Sequence, residues 1–195
     1  VSDFSVNSTG TRIRVIDATD GQLLTGHSTE RARRRKDNVV SDPGRDVLKI
    51  AVVNRYADGP PSTGFVRGFG LKRGAMASSV AHDSHNVVVV GVEDEAVCRA
   101  VNLIAKHKGG LAVIDGTREE ILPLPIAGIL SNQDGFRVAQ RYGELNALAG
   151  HLGSPLQAPF MTLSFMALSV IPKLKLTDKG LFDGERQTLT SLFVD

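Results

Sequence analysis

The sequence predicts an α+β fold: a mixed, largely antiparallel sheet packed against a few helices, with a short β-hairpin segment at the N-terminus. Three observations predict it. Strand-like runs outnumber helical ones, and the two do not alternate as a doubly wound parallel sheet would require. Four consecutive valines, residues 87–90, end at Gly91 and read as a central strand covered on both faces. The 195 residues are 42% hydrophobic and 23% charged, an ordinary globular composition in a chain long enough to bury a core without disulfide staples.

The elements follow in order. Arg12, Ile13, Arg14, Val15 and Ile16 alternate polar and apolar side chains, as a half-buried strand does. Asp20-Gly21 is a turn signal, after which residues 22–25 supply the returning strand of a hairpin. Residues 31–36 carry five cations in six positions, and Ser41-Asp42-Pro43-Gly44 reads as a turn. The chain divides there, into an N-terminal β segment and linker (1–47) and a main body (48–195). Leu48–Val53 opens the main body as a buried strand, and the glycine-rich stretch 64–74 marks backbone packed too closely for a Cβ. Residues 93–107 form the clearest helix. Ala96, Val97, Ala100, Val101 and Ile104 recur at helical spacing, with acids at the start, bases at the end and Gly109-Gly110 as the stop. Strands at 111–114 and 120–124 flank the Asp115-Gly116 turn. A second helix runs over 134–151 with Val138, Tyr142, Leu145, Ala149 and Leu152 on its apolar stripe. The remaining runs, 160–170, 173–176 and 188–194, read as strands.

Composition excludes several functional classes. A single cysteine, Cys98, rules out an internal disulfide framework and a four-cysteine zinc site, and its place on the first helix reads as packing. No apolar run approaches the roughly 20 residues that cross a bilayer, and the N-terminus has no secretory pattern, so a cytoplasmic protein with no membrane partner is predicted. The five histidines, His27, His82, His85, His107 and His151, form neither a His-x-His pair nor a His-Glu-x-x-His motif, so no metal site is predicted within this chain. The basic run 31–36 reads either as phosphate-neutralising or as a solvated surface loop. With a net charge of +2 and no interleaved aromatic platform, no nucleic-acid partner is predicted. The glycine stretch lacks both the dinucleotide and the P-loop patterns, although Lys72 and Arg73 could still meet an anion.

Residues 78–86 concentrate polarity. Ser78, Ser79, His82, Asp83, Ser84, His85 and Asn86 surround two apolar residues immediately before the valine strand. Polar groups at the mouth of a sheet either cap it or do chemistry, because burying them unpaired costs about 1–3 kcal/mol each. Asp83 is placed to orient an imidazole or accept a proton.

Several blocks resemble the C-terminal domain of the adenine deaminase family in the amidohydrolase superfamily. They are residues 65–86, FVRGFGLKRGAMASSVAHDSHN; 122–128, LPLPIAG; 159–165, PFMTLSF; and 170–182, VIPKLKLTDKGLF. They occur in the family's order over residues 48–195, with a looser likeness over 1–47. The resemblance implies a C-terminal portion of an enzyme that hydrolyses adenine to hypoxanthine and ammonia. It implies hydroxide supplied on manganese or iron, held by an upstream barrel that is absent from this chain. The implied partners are adenine, that barrel and further copies in a homo-oligomer. Within that frame His82, Asp83 and His85 are the expected catalytic residues, and Ser79, Ser84 and Asn86 the expected base-binding ones. The alternative is a non-catalytic module that braces the barrel or mediates oligomerisation.

Overall fold

The computed structural model describes residues 1–194; Asp195, the last residue of the predicted main body, lies outside the described residues. A short 3-10 turn at Ser2–Phe4 precedes β1 (Val6–Asn7), β2 (Arg12–Asp17), β3 (Gly26–Arg31), β4 (Arg34–Arg35) and β5 (Asn38–Val39). Then come β6 (Leu48–Val53), β7 (Ser62–Arg67), β8 (Ala75–Ser78), β9 (Val87–Gly91), α1 (Asp94–Lys106), β10 (Gly110–Asp115) and β11 (Arg118–Pro123). The described chain closes with α2 (Gly135–His151), α3 (Pro159–Ser164), β12 (Leu174–Thr177), β13 (Gly180–Asp183) and β14 (Thr188–Leu189). The α+β class holds.

Eight strands form the central sheet in the order β11-β10-β8-β9-β6-β7-β2-β3. Its neighbours pair antiparallel except β2 and β7, which run parallel. Two three-stranded sheets, β1-β5-β4 and β12-β13-β14, flank it. The valine run sits between β8 and β6, and its alternation explains why no polar residue interrupts it. Val88 and Val90 enter one core with Leu145, Leu148 and Ala149 of α2, Phe160 and Leu163 of α3, and Leu174 of β12. Val87 and Val89 enter the opposite core with Ala96, Val97, Ala100 and Ile104 of α1. Each such valine contributes roughly 1.5–3 kcal/mol through burial. A third cluster packs Ile13, Val15 and Phe65 against Val39 and Val47.

Three runs differ from the sequence reading. The hairpin's returning strand is β3, paired Asp17↔Gly26 through Arg12↔Arg31, rather than residues 22–25. Those residues form a loop anchored by Thr25, whose N–H reaches Pro172 O (3.1 Å) and whose hydroxyl reaches Leu174 O (2.8 Å). Residues 160–170 are not a strand: α3 begins at Pro159, and turns follow it. Phe160, Leu163 and Met166 are buried at helical spacing, and proline suits a first helical turn because its missing N–H would be unpaired there. Within 188–194 the strand is confined to β14, with one further bridge between Ile13 and Phe193.

Two lysines are wholly buried. Lys49 on β6 pairs with Asp94 at the start of α1 and donates to Phe4 O at 2.8 Å, tying the N-terminal turn to sheet and helix. Burial pulls its pKa down and the Asp94 carboxylate opposes that pull. Lys175 on β12 donates to Leu23 O (3.0 Å) and Phe165 O (3.1 Å), and burial lowers its pKa to about 8.

Candidate functional site

Residues 79–86 link β8 to β9 and form a turn at one end of the central sheet. The bonds within it separate the predicted site residues into two groups. The Ser78 hydroxyl is closed on Val80, accepting its N–H and donating to its carbonyl. Ser79 is fully buried; its hydroxyl donates to Gly128 O (2.6 Å) and accepts from Gly110 N–H (2.8 Å). The buried Asn86 accepts the Arg55 N–H through Oδ1 at 3.1 Å. The Ser79 hydroxyl and the Asn86 amide oxygen are therefore spent inward, on the loops that frame the turn.

His82, Asp83, Ser84 and His85 lie at the surface: Asp83 and Ser84 are exposed and the two histidines half-buried. Their backbone is fixed at several points. His82 N–H donates to Ser164 O (2.9 Å) and His85 N–H to Ala81 O (2.7 Å). The Tyr56 hydroxyl donates to Ser84 O (2.9 Å). The Arg55 guanidinium bridges His85 O (3.0 Å) and Ala127 O (2.8 Å). Gly128 leaves room for that bridge, since a Cβ there would stand 2.3 Å from an Arg55 nitrogen, and its φ of +77° suits glycine. The His82 ring stacks on Phe165 with centroids 4.7 Å apart, and the His85 ring lies edge-on at 6.1 Å. Two imidazoles, a carboxylate and a hydroxyl are thus presented on a pinned backbone, an array able to hydrogen-bond a small polar ring.

Arg55 and Tyr56 carry no motif in the sequence, and Phe165 enters there only as the end of the 159–165 block. The first two follow the β6 strand, where Asn54 Oδ1 accepts the N–H groups of Tyr56 and Ala57, an Asx turn whose asparagine is the one local clue. Nothing near Phe165 in the sequence points to His82.

The glycine stretch also resolves. The Asp46 carboxylate accepts the N–H groups of Gly68 (2.8 Å) and Gly70 (2.7 Å), occupying the donors that a phosphate cradle would offer. Gly68 has φ +101°, and a Cβ there would meet Ala18 O at 2.2 Å. Arg73 is engaged by both oxygens of Asp115, at 2.7 and 3.0 Å. Cys98, half-buried, packs against the α1-side core. Among the described residues no group of three or more His, Cys, Asp or Glu side chains is placed to hold a metal, so the residues present do not fit manganese or iron. No helix among them is long and apolar enough to cross a membrane.

Residues 22–188 match the family described as the adenine deaminase C-terminal domain. The chain belongs to that family. It is 52% identical over 197 residues to an adenine deaminase of Salinibacter ruber, an overlap covering 100% of this chain and 36% of that protein. With an adenine deaminase of Methanosarcina mazei the identity is 50%, covering 94% of this chain and 33% of the relative. With that of Methanothermobacter thermautotrophicus it is 45%, covering 98% and 37%. This family member spans about a third of the length of those relatives.

Proposed function

We propose that the chain is the C-terminal part of an adenine deaminase, converting adenine and water to hypoxanthine and ammonia, and that the 82–85 turn completes the enclosure around the base. The observation that carries the reading is the 45–52% identity, across nearly the whole chain, to proteins named adenine deaminase. Water activation belongs, in this reading, to an amidohydrolase barrel with manganese or iron, in the portion of the enzyme beyond the matched third. The intact enzyme is cytoplasmic and homo-oligomeric.

The turn's contribution is geometric and electrostatic. Adenine is planar, with ring nitrogens that accept hydrogen bonds and an amino group that donates. The Asp83 carboxylate accepts from such a donor. A neutral His82 imidazole offers a donor and an acceptor, while His85, whose Nδ1 accepts the Ala81 N–H at 3.4 Å, offers its Nε2–H as a donor. These three are the candidates for contact with base or departing ammonia, with the Ser84 hydroxyl beside them. Ser79 and Asn86 support the site by holding the turn's backbone.

A second reading, a module that braces the barrel or joins subunits, is favoured by the inward bonding of Ser79, Asn86 and Arg55, which already gives the turn a structural task. Steady-state kinetics of His82→Ala and Asp83→Ala in the full-length enzyme separate the two. Enclosure predicts a loss of kcat/KM for adenine on the order of tenfold or more in each folded variant. Unchanged kcat and KM in both would leave the turn as a structural cap.

A further inference from the structure

The basic run 31–36 plays no part in the function proposed above, and the fold gives it a defined place. The β4–β5 hairpin, turned at Lys36 (φ +55°), forms one wall of a surface groove of about 700 Å³, and Lys72 stands on another. That volume lies within the range of small-ligand sites. Five cations border the groove: Arg33, Arg34, Arg35, Lys36 and Lys72. The two carboxylates that also border it are already engaged. Glu93 accepts the Gly74 N–H at 2.8 Å, and Asp94 pairs with buried Lys49.

The cations are unequally committed. Arg34 donates to Gly10 O, Lys72 donates to Pro43 O at 3.1 Å, and Arg33 lies 3.5 Å from Asp42. The side chains of Arg35 and Lys36 form no hydrogen bond or ion pair with the described residues, although the Arg35 backbone pairs with Asn38 across the hairpin. Like charges crowded onto one short hairpin repel one another, and a compact anion shared among them relieves that repulsion. The N-terminus of α1 opens on the same groove, with a cap residue, Glu93, that makes no side-chain cap bond.

We propose that this groove binds a compact polyphosphate anion, either free or as the phosphate tail of a nucleotide, with Arg35 and Lys36 as its principal contacts. A nucleic-acid strand fits less well. No aromatic side chain borders the groove to stack a base, and the cations are gathered at one hairpin rather than spaced along a track.

The test is calorimetric titration of this chain with inorganic tripolyphosphate, repeated with orthophosphate, ATP and a single-stranded 20-nucleotide DNA. The proposal requires saturable tripolyphosphate binding that weakens with salt. It also requires at least about a tenfold loss of affinity in the Arg35→Gln/Lys36→Asn double variant, which removes both charges and keeps a residue tolerant of left-handed backbone at position 36. Circular dichroism melting confirms that the variant is folded. ATP binding tighter than tripolyphosphate assigns the site to a nucleotide, and equal binding assigns it to free polyphosphate; both support the proposal. It is overturned by absence of saturable binding, by equal affinity in wild type and variant, or by DNA binding more tightly than tripolyphosphate at the same salt.

Discussion

Single residues here are governed by what lies far away in the chain. Lys175 is surrounded by core and donates to the carbonyls of Leu23 and Phe165, 152 and 10 residues distant. Burial lowers its pKa from the usual 10.5 to about 8. Between those values the unfolded chain binds a proton that the folded chain does not, so raising the pH through that window favours folding. Urea unfolding should therefore show the stability of the wild type rising, relative to Lys175→Met, by up to about 3 kcal/mol between pH 8 and 10.5. A difference that is flat with pH would show that the folded lysine titrates like an exposed one. The site shows the same dependence on distant partners. The polarity of residues 78–86 is legible from composition, but the split between inward Ser79 and Asn86 and outward His82 to His85 is not. It is decided by Gly110, Gly128 and Arg55, which lie 31, 49 and 31 residues from their partners.

Elements were readable where burial imposes a pattern. The first helix carries its apolar stripe toward the sheet. The second begins at Gly135, capped by the Asp134 carboxylate, which accepts the Phe136 N–H at 2.9 Å, and both lie close to the predicted positions. The edge strand β3 escaped because its six residues, Gly26–Arg31, lack any large apolar side chain and are held by backbone pairing to β2. Helix α3 was misread because short apolar runs fit either period. The start of α1 depends on one ion pair. Removing the carboxylate in Asp94→Asn leaves the Lys49 ammonium buried with only the Phe4 carbonyl, whereas Lys49→Met leaves Asp94, 24% exposed, free to meet water. Denaturant melts should give a loss of about 3 kcal/mol for Asp94→Asn and a clearly smaller one for Lys49→Met. The reverse order would show that the pair is not what holds this junction.

At the scale of the whole molecule, a sheet covered on both faces makes a stiff platform, and its loops at one end present the 82–85 turn. The class of the fold was legible because a four-valine strand requires cover on two sides. Membership of the adenine deaminase C-terminal family was legible through sequence blocks rather than periodicity. The central claim is that the turn meets the purine. The most direct measurement is a structure of the full-length enzyme with adenine or a non-reacting analogue bound. Side-chain atoms of His82, Asp83 or His85 should lie within about 4 Å of the base, directly or through one water. A separation beyond about 10 Å for all three would contradict it, since neither hydrogen bonding nor proton transfer spans that gap.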